Sequence, residues 1–211
     1  MQSIKLNEAI MYCFGTPLFK ARIRDHAPMN AELAKFLQKE RSLDPEKHMS
    51  AVGGWQGSKE LFHQDHPALN RLKGHVTKAV IAVTSTYFGQ PLDPAKCTVT
   101  GEMWGNIIPN GGYTKLHNHS KSHWSGVYYI DVSKMDENRS PENGCIEFVD
   151  PRSFPTAFHH PKFSMLPGMT VKPEDGLMVL FPGWLNHYVH PYYGPAERIS
   201  IAFNMMIRVD E

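Results

Sequence analysis

From Cys97 to the end, the chain is a succession of short β-rich runs separated by Gly, Pro and Asn turns, with no helical pattern between them. The runs cover 98–108, 125–132, 145–149, 170–171, 177–181 and 198–207. Asn143-Gly144 and Pro173-Glu174-Asp175-Gly176 are turn signals ahead of two of them. Such a series predicts an antiparallel sandwich or barrel. The preceding part reads differently. Residues 10–23 hold β-formers around Gly15-Thr16-Pro17 and predict one or two strands. Residues 31–42 predict a helix with Leu33, Phe36 and Leu37 as its apolar stripe and Asn30 as its N-cap. From there to about Ser58 the chain is polar and carries Gly53-Gly54, which predicts loop. A longer helix follows over 67–87, with Leu69, Leu72, Val76, Val80 and Val83 at helical spacing and Pro67 in its first turn. The expected fold class is α+β, a jelly-roll-like β core with N-terminal helices packed on its outside. No repeat or low-complexity linker divides the 211 residues, so 1–211 is read as a single domain: a support region, 1–96, and a β core, 97–211.

Charge narrows the partners. Lysine and arginine number 22 against 21 acidic residues, a formal charge of +1 that gives no support to a nucleic-acid partner. Three cysteines, Cys13, Cys97 and Cys145, are odd in number and lack metal-motif spacing, which suggests a reducing compartment. No apolar leader opens the chain and no run of eighteen apolar residues occurs, so the expectation is a cytoplasmic protein without a membrane partner.

The chemistry gathers in two stretches, LHNHSKSHWSGVYYI over 116–130 and FPGWLNHYVHP over 181–191. His117 and His119 are two residues apart, so on one strand both imidazoles face the same side. His187 lies shortly after the apolar run 177–181. Neutral imidazole is the commonest metal ligand, and a His pair with a distant third His can build a metal site open on one side. His26, His48, His63, His66 and His75 lie outside the β core and are read as structural or surface residues, and His159-His160 as a solvated pair in a polar loop. Eleven positions after His187, Arg198 and Ser200 share one strand face, with Ile199, Ile201 and Phe203 on the other. An inward-facing guanidinium suits a carboxylate; a surface Arg paired with Glu197 or Asp175 is the plainer alternative.

The order His117-x-His119, Ser125-Gly-Val-Tyr-Tyr129, the strand led by Gly176, His187 and Arg198-x-Ser200 resembles the iron(II)- and 2-oxoglutarate-dependent oxygenases, most of all the branch near the prolyl hydroxylases with its bacterial and phage relatives. The likeness covers residues 100–207, about half of the chain. It implies a double-stranded β-helix (jelly-roll/cupin-like) core, with Fe(II) as metal and 2-oxoglutarate as co-substrate. By position it implies His117 as first ligand, His187 as distal ligand, Arg198 as the clamp on the far carboxylate of 2-oxoglutarate, and Tyr129 assisting the clamp; Ser200 adds a hydroxyl beside Arg198. The implied activity is hydroxylation of an unactivated C–H bond in a small-molecule or peptide substrate, with release of succinate and CO2. Trp104, Asn106, Trp124 and Trp184 are candidate pocket residues by sequence proximity, and Asp150-Pro151-Arg152 a candidate polar contact or surface ion pair. Oligomeric state is left open.

One position departs from the family. Where it has Asp or Glu, this chain has His119. Either His119 ligates, or water takes the position, or a carboxylate arrives from elsewhere, with Glu147 and Asp150 nearest in sequence; ligation by His119 is favoured. Two other readings share the β core: a cupin-type three-His isomerase or dioxygenase without keto acid, and a non-catalytic metal- or sugar-binding β module. In the latter, structural zinc would need a fourth ligand such as His190 or His123.

Overall fold

The computed structural model describes residues 15–45, 51–132, 134–136, 138–152, 158–160, 163–165 and 168–210, the backbone alone for 158–160 and 163–165. Cys13, His48 and the first part of the strand expected over 10–23 lie outside them. The rest of that segment forms β1 (Phe19–Arg22).

Helix α1 (His26–Leu43) starts five residues before the expected position. Asn30 is therefore not a cap. It sits inside the helix, 7% exposed, where Tyr128 Oη donates to its Oδ1 at 2.5 Å and its Nδ2 donates to the Ile130 carbonyl at 2.6 Å. A short polar residue ahead of an apolar stripe looks like a cap in sequence, but here its bonds run to a strand 98 and 100 residues away. The segment expected to be loop holds two short strands, β2 (Ala51–Val52) and β3 (Trp55–Gln56). Helix α2 (Pro67–Phe88) begins with Pro67, as its sequence predicts; His66 Nδ1 accepts the Ala68 N–H, and Gly89 closes the helix in the left-handed region at φ 64°.

The β core follows: β4 (Cys97–Ile108), β5 (Tyr113–His117), β6 (Trp124–Asp131), β7 (Ile146–Val149), β8 (Phe158–His160), β9 (Phe163–Met165), β10 (Gly168–Val171), β11 (Leu177–Pro182), β12 (His187–Val189) and β13 (Arg198–Val209). One antiparallel sheet runs β1-β11-β6-β13-β4-β3 and a second β10-β7-β12-β5-β2, the double-stranded β-helix arrangement. His159 and His160, expected in a loop, belong to strand β8, which pairs with β9. Strands β5 and β12, short and polar, lie outside the β-rich runs read from the sequence, although the pairing of His117 with His119 assumed a strand at the first of them.

The six-stranded sheet is buried on both sides, and residue alternation shows how. On β6, Tyr128 and Ile130 join the cluster with α1 and α2, while Val127 and Tyr129 join the cluster between the sheets. On β11, Met178 and Leu180 face the helices, while Leu177, Val179 and Phe181 face the second sheet. A strand covered on both faces reads as a continuous apolar run rather than an alternating one, which is why 127–130 and 177–181 stand out in the sequence. Leu33, Leu37, Leu69, Leu72, Val76 and Val80 have no exposed surface and seal the helical layer. Among the described residues no helix is long and apolar enough to cross a membrane.

Candidate metal centre and co-substrate cleft

His117 ends β5 and is paired in register with His187, the first residue of β12. Strand pairing thus brings together two residues 70 apart. His119 lies beyond β5, in the turn that follows, so strand periodicity is not what places it, contrary to the sequence argument. Its backbone does the work: the His119 N–H donates to the Gly183 carbonyl at 2.7 Å, and the Ser122 N–H returns to the His119 carbonyl at 2.9 Å. Asn118 Nδ2 donates to Asn186 Oδ1 at 2.8 Å, stitching this turn to the one before His187.

The ring centroids lie 4.8 Å apart for His117 and His119, 4.4 Å for His117 and His187, and 5.4 Å for His119 and His187. One ligand nitrogen from each lies within 4.8 Å of the others. An ion bonded to imidazole at about 2.1 Å spans at most about 4.2 Å between two ligands, so the three rings could hold one ion after small movements. Burial lowers the pKa of all three. For His187 it is pushed down to about 3, by burial first and then by His117; for His119 to about 4, by burial and then by His117 and Lys59. The rings are neutral at pH 7, the form a metal requires.

The histidines share a cleft with Arg198, Ser200 and Tyr129. Arg198 and Ser200 point into it from β13, while Ile199, Ile201 and Phe203 pack toward the helices. Neither alternative partner holds Arg198: Glu197 pairs with Arg41 at 2.7 Å, and an Asp175 carboxylate oxygen accepts the Val132 N–H. Arg198 is 3% exposed, its guanidinium stacked 5.0 Å from the Tyr129 ring centroid and in long, 3.5 Å contact with Ser200 Oγ. Arg198 Nε and Tyr129 Oη are buried without hydrogen-bond partners among the described residues. A buried charge and a buried hydroxyl in that state are costly unless a ligand completes them. A carboxylate fits both.

Several sequence-derived candidates fall elsewhere. Trp104 and Asn106 line the cleft, but Trp184 is 46% exposed on another surface, and Trp124 is buried under the helices with Nε1 donating to Thr84. Glu147 does not approach the histidines; its carboxylate accepts from His190 Nε2 at 2.7 Å. Asp150 forms an ion pair with Arg152. His123 Nδ1 accepts the Ile207 N–H. Among the described residues the cluster therefore holds three histidines, without the carboxylate or the fourth ligand that two of the sequence readings required. Ser125 and Asn204 were not singled out in the sequence, although the period-two rule applied to Arg198 and Ser200 reaches Asn204 as well.

A helix-backed double-stranded β-helix with a histidine cluster at one end of the cleft and a buried arginine within it defines the oxygenase class that uses a metal and a keto acid. Residues 102–204 match the family model described as "Putative 2OG-Fe(II) oxygenase", and this segment, which carries all three histidines and Arg198, belongs to that family of iron(II)- and 2-oxoglutarate-dependent enzymes. No curated protein matches the sequence. Among solved structures, the chain is similar to a prolyl-4-hydroxylase of Pseudomonas putida (14% identity, 90% of this chain and 92% of that one, TM-score 0.59). It is similar as well to a viral collagen prolyl hydroxylase of Paramecium bursaria Chlorella virus-1 in complex with 2OG (12%, 92% and 97%, 0.57). A third is the carbocyclase SnoK of nogalamycin biosynthesis (10%, 92% and 82%, 0.65). At these identities the neighbours establish the shared fold.

Proposed function

We propose that the enzyme binds iron(II) through His117, His119 and His187 and 2-oxoglutarate through Arg198, Ser200 and Tyr129, and that it hydroxylates an unactivated C–H bond of a small molecule or peptide. The carrying observation is Arg198: a residue 3% exposed, in the same cleft as three converging imidazoles, with no carboxylate partner among the described residues. A dicarboxylic keto acid satisfies both ends of that cleft. One carboxylate meets Arg198 and the Ser200 hydroxyl, with the Tyr129 hydroxyl completing the contact. The other end, the keto acid group, then faces the histidines. When bound, iron supplies the activation of O2 that is coupled to oxidative decarboxylation of the keto acid to succinate and CO2. The protein's own part is to orient and to exclude water: Val127, Ile146 and Phe181 line the cleft wall, Asn106 lines it opposite Ser200, and Trp104, its ring 5.9 Å from that of His119, lines the side where we place the substrate.

A cupin-type site without keto acid leaves Arg198 buried and uncompensated, which weighs against that reading. Incubation with iron(II), ascorbate, O2 and 2-oxoglutarate, without further substrate, tests the proposal: slow formation of succinate is expected. Bound iron with no succinate would return the assignment to the keto-acid-independent class.

A further inference from the structure

The three histidines differ in what fixes their protons. Nδ1 of His117 lies 2.7 Å from the Lys115 carbonyl oxygen, and Nδ1 of His187 lies 2.9 Å from that of Leu185. A carbonyl only accepts, so each ring carries its proton on Nδ1 and keeps a lone pair on Nε2. Among the described residues, no carbonyl takes that place at His119. Its Nδ1 lies 3.3 Å from the side-chain amide of Asn204, whose other end is 2.8 Å from Ser125 Oγ. Both partners are buried, Asn204 at 7% exposure and Ser125 at 2%. Asn204 stands on β13 six residues beyond Arg198, hence on the same strand face, and pairs in register with Ser125 on β6.

An amide fills the same space turned end for end, so its neighbours select the orientation. With Nδ2 toward His119, the ring must offer a bare Nδ1 and carry its proton on Nε2, leaving no lone pair for an ion. With Oδ1 toward His119, Nδ1 keeps the proton and Nε2 is bare. Nδ2 then donates to Ser125 Oγ, and that hydroxyl turns to the Phe203 carbonyl 3.4 Å away. Every group in this second arrangement keeps a partner.

We propose that Asn204, braced by Ser125, is a positioning residue: its amide oxygen accepts from His119 Nδ1 and so sets the tautomer that makes His119 the third ligand. This rests on the reading of the three histidines as a metal site. A carboxylate in place of His119 would need no such partner, because either oxygen can ligate; an imidazole there does, which ties the role of Asn204 to the replacement at 119.

The test pairs a tautomer measurement with a metal titration. Long-range 1H–15N correlation spectra of the metal-free protein, with the His119 ring assigned by its loss in His119→Gln, report which nitrogen is protonated. Cobalt(II) titration of the wild type, Asn204→Asp, Asn204→Ala and His187→Ala reports affinity. We expect an Nδ1–H tautomer at His119 in the wild type and in Asn204→Asp, whose carboxylate only accepts. Asn204→Ala should shift the ring toward Nε2–H and weaken cobalt binding on the order of 10–100-fold, while Asn204→Asp stays within a few-fold of wild type. A packing role alone would leave the tautomer unmoved. An Nε2–H ring in the wild type, or wild-type cobalt affinity in Asn204→Ala, overturns the proposal. Unchanged affinity in His187→Ala would remove the metal site itself, and with it the ligand role given to His119; since the tautomer is read without metal, the two failures are distinguishable.

Discussion

Arg198 is the side chain on which the co-substrate assignment turns. Arg198→Ala should weaken 2-oxoglutarate binding by on the order of 2–5 kcal/mol, the cost of truncating one partner of a desolvated charge pair. Bound iron should be unchanged, and calorimetry with parallel metal analysis separates the two effects. His187 gives a second prediction. Its pKa, near 6.5 in an unfolded chain, falls to about 3 in the fold, by burial first and then by the neighbouring His117. Below pH 6.5 the unfolded state takes up a proton that the folded state refuses, so stability falls as pH falls. For this one group the slope approaches about 1.4 kcal/mol per pH unit between the two values, with none of the loss above pH 7. Urea melts of metal-free protein at pH 7.5, 6 and 5 should show that decline, and His187→Gln should show less of it. At this scale the sequence was readable wherever period two governed, as for Arg198 and Ser200. It misled at Trp184, because nearness along the chain is not nearness across a sheet.

Between residues and fold, the turns after β5 and β11 act as one element. Gly183 is where they touch: a Cβ there would lie 2.3 Å from the Ser122 carbonyl oxygen and 2.7 Å from that of His119, both backbone atoms that cannot swing aside. Gly183→Ala should therefore displace the His119 turn, lower stability by about 1–3 kcal/mol and weaken metal binding, whereas the helical layer keeps its circular dichroism. Thermal melts and cobalt titration check both. On the opposite face, Asn30 joins α1 to β6 through Tyr128 and the Ile130 carbonyl. Asn30→Ala leaves two buried groups unpaired and should cost about 1–3 kcal/mol without altering metal affinity, since α1 packs on the far side of the sheet. Helix α2 and the long strands were legible because an apolar stripe or a doubly buried strand imposes its own composition. The start of α1, the short strands β2, β3 and β12, and the His119 turn were not, because their geometry is set by partners far along the chain.

For the whole molecule, two sheets and a helical layer divide the labour. The helices bury one face of the six-stranded sheet, which leaves the space between the sheets for a cleft holding neutral imidazoles and a buried guanidinium. The order of motifs made the fold class and the iron-and-keto-acid chemistry legible in the sequence. The sequence favoured His119 for the third position, and the structure brings its ring to the other two; Asn204 beside it was not legible, because only the pairing of β13 with β6 sets it there. One measurement bears most directly on the account: anaerobic titration of the protein first with iron(II), then with 2-oxoglutarate, followed by visible absorption. The account predicts a weak charge-transfer band that saturates at one equivalent of keto acid per iron, and that requires far more keto acid in Arg198→Ala at equal bound iron. Iron bound with no band, or a band indifferent to Arg198, would contradict it.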